Sequence, residues 1–484
     1  MSQNIFNYGR DQNVHTGAGD LHVNNNIRRN FVQNIRTTDS YPYLRRLHDV
    51  VAGVGASHKS QQQLDRGKCL EGTRQGALGS IDKWRRESGD RSLPICWLSG
   101  TAGAGKSAIA MTVAESCEKK GLVASFFFFR SDPKRNNPDA LVPTIALGLV
   151  SKFPSLRTFF NRKISRSPMI LDSALEIQFQ ELVLEPSLQV GRSGLGLNSV
   201  QKVPNLVIID GLDECGDENT QKYILSTILA SYQHPPSTRS PLKFLICSRP
   251  EAWIREVFDE EDLSRLTHYV KLDDASHDIE RYLRHEFQII REAPKYSRMP
   301  FPSPWPSERE LGQLVWNASS QFVYAATAVK LVKSPFTNPI DQLHTILNYH
   351  PDNRSSSSPF PELDRLYHIT LSANPDRNKL LSVLAAIFIA GPFLTPCPEL
   401  IEGLLHLAPG EVDLTLRAMH SVLDIRGGWD AIKSFHTSFP DYLFDRSRSG
   451  SFFIGKAAWT DLLASQWLQA LTVERVGRYR WEIH

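Results

Sequence analysis

The sequence predicts an α/β fold, in which helices cover both faces of a parallel sheet and are followed by helical and winged-helix domains. Two observations predict the sheet: apolar segments of strand length alternate with helical segments, and a glycine-rich loop joins the first such strand to a helix. A third predicts the C-terminal part, where helical segments precede a hairpin pattern with Gly427-Gly428 at its turn. With 484 residues, the chain is too long for one compact core.

Buried strands are predicted where short apolar runs occur. The runs are ICWLSG (95–100), LVASFFFF (122–129), LVIID (206–210), KFLICSR (243–249) and THYVKL (267–272). The four consecutive phenylalanines fit a strand that is covered on both faces. The segment 106–121 has a helical pattern closed by Gly121. This alternation predicts a doubly wound parallel sheet with the glycine-rich loop at its edge.

The order of these patterns divides the chain into five regions. We predict an Asn/Gly-rich disordered segment (1–40), a helical linker (41–93), an α/β nucleotide-binding domain (94–290), a helical subdomain with a linker (291–360), and a winged-helix-like region with C-terminal helices (361–484). A brief alternation within 20–24 leaves open a second hypothesis for the first region, a self-templating cross-β segment.

Charge and composition limit the partners. The formal net charge is +3, which gives no electrostatic argument for nucleic acid or an anionic membrane. The six cysteines are scattered, as expected of reduced thiols inside a cell. No apolar run reaches the roughly 18 residues of a membrane helix, and no signal peptide pattern begins the sequence. We therefore expect a cytoplasmic protein with no transmembrane segment and no nucleic-acid partner.

The segment GTAGAGKS (100–107) matches the full G-x-x-x-x-G-K-[ST] pattern between a predicted strand and a predicted helix. Glycines let the backbone wrap around phosphate, so that its N–H groups and the helix N-terminus bind the anion. Lys106 offers a compact charge to the β- and γ-phosphates, and Ser107 offers a hydroxyl to Mg²⁺. The predicted nucleotide-binding residues here are Gly100, Thr101, Ala102, Gly103, Ala104, Gly105, Lys106, Ser107 and Ala108.

An acidic cluster follows the third strand, in LVIIDGLDECGD (206–217). Such a cluster needs a countercharge, and Mg²⁺ bound to the nucleotide phosphates would supply it. We predict that Asp210, at the strand end, binds the metal. Asp213 and Glu214 are candidates to orient or deprotonate an attacking water, and the sequence leaves open which of the two does so.

A third candidate, Arg249, ends the next strand in FLICSRP (244–250). At that position an arginine could contact the γ-phosphate, although surface arginines are common.

The order of the motifs GTAGAGKSAIA, VIIDGLDEC, FLICSRPE, QFVYAATAVK and SFHTSFPDYLFD resembles the NACHT class of STAND NTPases. The resemblance is greatest to fungal NOD-like receptors with a nephrocystin-like NTPase domain, and it extends from about residue 65 to 470. It implies that Lys106 and Ser107 are the Walker A pair, that Asp210 is the Walker B aspartate, and that Arg249 is the sensor arginine.

The resemblance also bears on three further residues. It implies that His436, in FHTSFPDYL, contacts the β-phosphate of ADP, and it places Arg74 near the nucleotide. From the residues alone, His436 could equally be a packed core histidine between Phe435 and Phe439. Ser320 stands where the family commonly has glycine, in the helix that approaches the nucleotide.

The leading hypothesis for function is an ATP-binding and slowly ATP-hydrolysing switch, with ATP/ADP and Mg²⁺ as cofactors. By resemblance it cycles between an ADP-closed state and an ATP-open state that forms homo-oligomers, or hetero-oligomers with related receptors. Its trigger ligand and effector are not specified by the sequence. The alternatives are a P-loop ATPase or kinase and a nucleotide-bound scaffold, but no acceptor pocket or lid signature supports a kinase. A GTPase is disfavoured, since no N-K-x-D motif occurs.

Overall fold

The structure is a computed structural model. It describes residues 41–472 apart from 61–62, 64–66, 89–91, 120, 193–204, 234, 236–237, 273, 336, 349–359, 392–394 and 427–428. The predicted N-terminal segment (1–40), with its cross-β alternative, and the turn Gly427-Gly428 lie outside the described residues. Among the helices that the structure describes, none has both the length and the apolar character needed to cross a membrane.

The predicted parallel sheet is present, and all five of its strands were predicted. In chain order they are β1 (Ile95–Ser99), β2 (Leu122–Phe127), β3 (Leu206–Asp210), β4 (Lys243–Ser248) and β5 (Thr267–Lys271). They pair in the order β2-β3-β4-β1-β5, and every pair is parallel. The glycine-rich loop therefore follows an interior strand, β1, at the carboxyl end of the sheet.

Successive side chains of the strands enter two apolar layers, one on each face of the sheet. In β1, Ile95 and Trp97 pack in one layer, whereas Cys96 and Leu98 pack in the other. The phenylalanine run in and after β2 divides in the same way, which explains why a fully apolar strand is stable here. These two layers confirm the predicted arrangement of a sheet between helices.

Ten helices surround the sheet within the described residues. They are α1 (Leu44–Val51), α2 (Gln75–Arg86), α3 (Lys106–Cys117), α4 (Leu141–Lys152), α5 (Arg157–Arg166), α6 (Leu175–Phe179), α7 (Glu185–Arg192), α8 (Glu218–Ala230), α9 (Ala252–Asp259) and α10 (Glu261–Ser264). Helix α3 ends at Cys117, before the predicted Gly121, although the Gly121 N–H donates to the Cys117 carbonyl at 2.8 Å.

The C-terminal region has helices and one short hairpin as its regular elements, within the residues that the structure describes. Its helices are α11 (Ser276–Glu292), α12 (Glu308–Ala318), α13 (Phe322–Val332), α14 (Pro339–Asn348), α15 (Pro361–Ser372), α16 (Arg377–Ala385), α17 (Pro398–Leu405), α18 (Glu411–Leu416), α19 (Ser438–Leu443), α20 (Arg446–Ser449) and α21 (Lys456–Thr472). The hairpin pairs β6 (Leu423–Asp424) with β7 (Lys433–Ser434) in antiparallel fashion, as the sequence predicted.

A single apolar core joins the C-terminal helices. It begins at Ala275 and extends to Leu463, so that α11 shares a core with the helices after it rather than with the sheet. The predicted domain boundary at residue 290 therefore places most of α11 in a different domain from the helices on which it packs. The assignment of these residues to separate domains remains a prediction.

Candidate functional site

A cavity of about 370 Å³ lies where the sheet, the helical region and the winged-helix-like region meet. From the sheet side it is lined by residues of the glycine-rich loop and of the acidic turn, together with Arg249. Helices α11 and α13 contribute a second wall, which includes Tyr282 and Phe322. The hairpin and the segment that follows it, from Lys433 to Phe439, contribute the third. Three regions that are distant in sequence therefore enclose one space.

The glycine-rich loop follows β1 and leads into α3. Gly103 and Gly105 have φ of +73° and +91°, a conformation that glycine adopts without strain. A Cβ on Gly103 would lie 2.2 Å from Val323 of α13, whose N–H donates to the Gly103 carbonyl at 3.3 Å. The loop is thus shaped both to curve around an anion and to contact the helical region directly.

The helical region approaches the loop even though Ser320 stands where the resemblance leads us to expect glycine. Ser320 has a φ of +64°, which explains why glycine suits this position. Its hydroxyl donates to the Asp274 carboxylate at 2.8 Å and accepts from the Ala275 N–H at 3.2 Å. These two hydrogen bonds offset the backbone strain, and the contact between Val323 and Gly103 is made.

Lys106 is the first residue of α3, and its ammonium turns back over its own loop. Nζ donates to the carbonyls of Gly100 at 2.7 Å and Thr101 at 2.9 Å. Burial lowers the pKa of Lys106, and the nearby carboxylates of Asp213 and Asp210 oppose that shift. An additional anion in the cavity would stabilise the charged form further.

Asp210 ends β3 at the cavity, with 1% of its surface exposed. The pKa of the adjacent Cys247 thiol is raised well above its usual value, first by burial and then by the Asp210 charge. Asp210 and Ser107 line the same cavity, so a carboxylate and a hydroxyl are available to a hard cation. In the described part of the chain, no group of three or more His, Cys, Asp or Glu side chains forms a metal site. The donors therefore suit Mg²⁺ that takes its other ligands from phosphate and water.

The two candidate bases in the acidic turn, Asp213 and Glu214, have different surroundings. Gly211, with a φ of +72°, starts the turn, and a short 3-10 helix (Leu212–Glu214) follows. Asp213 is buried, and both of its oxygens contact Arg249: Oδ1 accepts from the backbone N–H at 2.9 Å, and Oδ2 lies 3.2 Å from Nε. Glu214 is only partly buried and lines the cavity, and its Oε2 accepts from the Arg130 N–H at 3.2 Å. Both acids line the cavity, but Asp213 holds the arginine with both of its oxygens, whereas the Glu214 carboxylate is bonded to a backbone N–H.

Arg249 connects the sheet to the winged-helix-like region. Besides Asp213, its guanidinium donates through Nη2 to Thr437 Oγ1 at 2.9 Å and lies 3.6 Å from Asp441 Oδ2. Burial opposes its charge, but the Asp213 and Asp441 carboxylates raise the pKa of Arg249 above its usual value. Asp441 also pairs with Arg130 at 3.5 Å. Two arginines from the sheet side therefore share one winged-helix carboxylate.

His436 lies at the cavity in a fixed orientation. Its Nδ1 accepts from the Ser438 N–H at 3.0 Å and lies 2.6 Å from Ser438 Oγ. That hydroxyl is hydrogen-bonded in turn to the Tyr367 hydroxyl at 2.7 Å. Because Nδ1 is an acceptor, the neutral ring carries its proton on Nε2 and can donate from that nitrogen.

Most of the predicted site residues meet at this cavity. Those that line it are Ala102, Gly103, Gly105, Lys106, Ser107, Ala108, Asp210, Asp213, Glu214, Arg249 and His436. Gly100, Thr101 and Ala104 do not line it: the first two bind Lys106 through their carbonyls, and Ala104 is buried. Their predicted role as nucleotide contacts remains a prediction.

Arg74 supports the loop rather than facing the cavity. Its Nη2 donates to the Ala104 carbonyl at 2.8 Å, and its guanidinium lies over the Phe322 ring, 5.2 Å from the centroid. It is 6% exposed and is not among the lining residues. Among the described residues, ten that line the cavity and carry a charge or a hydroxyl were not predicted from the sequence: Arg135, Tyr282, Thr327, Lys330, Tyr367, Ser421, Asp424, Lys433, Ser434 and Thr437. Lys330 belongs to QFVYAATAVK and Thr437 to SFHTSFPDYLFD, but neither motif alone shows which of its side chains reach the cavity.

A comparison with protein families gives a match over the part of the chain that contains the sheet-side residues of the cavity. The family described as nephrocystin 3, N-terminal, matches residues 73–249, which include the glycine-rich loop, the acidic turn and Arg249. The fold is that of a P-loop NTPase. The match covers less than half of the chain, and a comparison with curated proteins finds no match.

Solved structures show weaker similarity. Cdc6p from Pyrobaculum aerophilum is 12% identical with a TM-score of 0.38, over 82% of this chain and 95% of that chain. The Aeropyrum pernix ORC2 protein in its ADP form is 11% identical with a TM-score of 0.35, over 84% of this chain and 96% of that chain. Similarity at this level carries no argument about what this chain does.

Proposed function

We propose that the chain is a nucleotide-dependent switch of the NACHT class, which binds ATP or ADP with Mg²⁺ in the cavity and hydrolyses ATP slowly. The observation that carries the proposal is the composition of the cavity: a glycine-rich loop with Lys106 on one side and the winged-helix-like segment with His436 on another. A ligand that fills this space contacts both regions at once. Its chemical state can therefore bias how tightly they are held together.

The contacts of Arg249 give the switch a physical basis. This arginine is bonded to Thr437 and lies near the Asp441 carboxylate, both in the winged-helix-like region. A γ-phosphate in the cavity would be a second, more highly charged partner for the same guanidinium. ATP would therefore compete with Asp441 for Arg249, whereas ADP would leave that contact in place. Differential contact of this kind is what allows a ligand to shift a conformational equilibrium.

The chemistry of hydrolysis follows from the same residues. Mg²⁺, held by Ser107 and Asp210, would neutralise charge on the phosphates. Glu214 would orient the attacking water and accept its proton, while Asp213 keeps Arg249 in position. This assigns different roles to the two acids that the sequence left equivalent.

The resemblance suggests what the switch controls in the cell. ATP binding would open the winged-helix-like region and permit assembly with further copies or with related receptors, in the cytoplasm. A role in fungal innate immunity or in heterokaryon incompatibility-type cell death is the corresponding biological proposal. Mass spectrometry of nucleotide that co-purifies with the chain tests the starting state, and bound ADP is the expected result.

Lys106→Ala tests whether this cavity is the nucleotide site. The change removes the ammonium next to the loop, and we expect nucleotide affinity to fall at least tenfold, about 1.4 kcal/mol. A titration with a fluorescent nucleotide measures the affinity. Lys119→Ala, an exposed lysine just beyond the same helix, is the matched control and should bind normally. Unchanged binding by the Lys106 variant would exclude the cavity as the site.

Asp441→Asn tests the contact with the two arginines. Because Asp441 and Arg130 are both partly exposed, the ion pairs are weak, and we expect the closed state to lose about two- to fivefold in population. Light scattering should then show more self-association at a given ATP concentration. Asp461→Asn, an exposed change in α21, is the control. Equal association of both variants would argue against competition between Asp441 and phosphate.

A further inference from the structure

Helix α13 lines one wall of the cavity along its length. Phe322 and Val323 face the glycine-rich loop, and Ala326 and Thr327 line the wall one turn later. Lys330 continues this stripe at the next turn, with the spacing of a single helix face. Its Cα lies about 10 Å along the axis from that of Val323. Lys330 is therefore placed at the end of the wall that meets the hairpin.

Four other cationic side chains line the cavity, and each is held by protein oxygens. Lys106 is held by the carbonyls of Gly100 and Thr101, Arg249 by Asp213, and both Arg135 and Lys433 by Asp132. In each of these four cations, protein oxygens therefore already take the place of part of the hydration shell.

Lys330 differs from these four cations. Its Nζ lies against the ring of Phe435, 2.8 Å from the centroid, and within the described ranges it forms no ion pair. Burial lowers the pKa of Lys330 to about 8, and the Asp424 charge on β6 only partly opposes this. An aromatic face is a weaker partner for an ammonium than an anion is. An anion that enters the cavity would therefore gain a large interaction from this residue.

We propose that Lys330 is a second phosphate-binding lysine, which contacts the phosphate chain of the bound nucleotide from the helical wall of the cavity. The proposal rests on the proposed function, because it names a further contact in the same site. Phe435 and Asp424 both belong to the winged-helix-like region. A phosphate that draws Lys330 away from them would weaken a link between that region and α13.

If Lys330 binds phosphate, nucleotide binding should be accompanied by proton uptake at Lys330. A lysine with a purely structural role would not contribute to this uptake. Asp424 is the charged group that acts on Lys330, while Lys433 and His436 from the hairpin side and Lys106 and Asp210 from the sheet side line the same cavity. Because burial lowers the pKa of Lys330 to about 8, we expect Lys330 to be partly neutral in the free protein at pH 8.5. Binding of an anion favours the charged form, so nucleotide binding at this pH should be accompanied by proton uptake, to which Lys106, whose pKa is also lowered by burial, contributes as well.

The test is calorimetric titration of the full chain with ATP at pH 8.5, in two buffers of different ionisation enthalpy. We expect Lys330→Met to bind ATP about tenfold more weakly and to take up fewer protons than the wild type. Methionine keeps the unbranched apolar stem of lysine up to Cε, so the apolar contacts of the wall are retained. Lys333→Met is the matched control, because Lys333 lies next to the end of α13 and pairs with Glu286. It should show wild-type affinity and wild-type proton uptake.

Thermal unfolding shows whether the methionine variant is folded, and Lys330→Gln replaces it if it is not. A folded variant that binds ATP with wild-type affinity and takes up the same number of protons would overturn the role of Lys330. That result would leave the proposed function intact, provided that Lys106→Ala still weakens nucleotide binding at least tenfold. Failure of the wild-type chain to bind ATP would instead overturn the proposed function, and this proposal with it.

Discussion

Glu214→Gln is expected to lower ATP turnover by roughly 10²-fold or more while ATP still binds. Glu214 lines the cavity, and its carboxylate is only partly buried, so it can reach a water next to the terminal phosphate. Glutamine has nearly the same shape but cannot accept a proton. Release of inorganic phosphate under saturating ATP measures the rate, and a fluorescent-nucleotide titration measures binding.

Asp213→Asn tests whether Asp213 rather than Glu214 is the catalytic base. Both carboxylate oxygens of Asp213 contact Arg249, so we expect Asp213 to hold the arginine rather than to act on a water. Its replacement should mainly lower the unfolding temperature and loosen Arg249, with a smaller loss of turnover than for Glu214→Gln. Glu218→Gln, an exposed change at the start of α8, should leave both properties unchanged. The assignment is wrong if the Glu214 variant hydrolyses ATP at the wild-type rate, or if only the Asp213 variant loses turnover.

The parts of this site that the sequence predicts are those encoded by contiguous residues. The loop at 100–107 and the acidic turn after β3 each combine strand hydrophobicity with a short polar motif, and the structure brings both to one edge of the sheet. Strand β5 lies at the edge of the sheet and has exposed residues, but strands β1 to β4 were predictable for a similar reason. Burial on both faces requires uninterrupted apolar runs, and such runs are visible without knowledge of the partners.

What the sequence could not predict depends on contacts between distant segments. Arg249 and Thr437 are separated by 188 residues, so nothing local indicates that the arginine reaches the winged-helix-like region. Lys330 appears in the sequence as an ordinary lysine of an apolar helix, and only the tertiary arrangement places it at the cavity. The core into which α11 packs could not be predicted from the sequence either. The periodicity of a helix shows that one face is buried, but it does not show which core buries it.

The two interpretations of His436 that the sequence left open now make different predictions about a defined hydrogen bond. The ring is held by Ser438 on its Nδ1 side, and that serine is itself bonded to Tyr367. A histidine that served only as core packing would not need a fixed donor at the cavity. The arrangement supports a ring that presents Nε2–H to the nucleotide, and a substitution can test this.

His436→Leu is expected to increase the ADP off-rate by about one to two decades, because a hydrogen bond to a charged phosphate contributes roughly 1.5–3 kcal/mol. Leucine keeps apolar volume beside Phe439 but cannot donate. The winged-helix-like region would then lose its link to ADP, so the variant should also self-associate more readily when ATP is supplied. Stopped-flow displacement of a fluorescent ADP analogue measures the off-rate, and light scattering measures the mass.

Two further variants decide what a change in the off-rate means. Ser438→Ala leaves the imidazole in place but removes the hydroxyl that contacts both Nδ1 and Tyr367, so the donor is less well oriented and the off-rate should rise by a smaller factor. His420→Leu makes the same replacement at an exposed position in the same region and should leave nucleotide exchange unchanged. If His436 were only a packed histidine, His436→Leu would alter the unfolding temperature while ADP left at the wild-type rate. A folded variant with that behaviour would remove His436 from the switch, and Arg249 with Asp441 would remain as the contact through which the nucleotide could act on the winged-helix-like region.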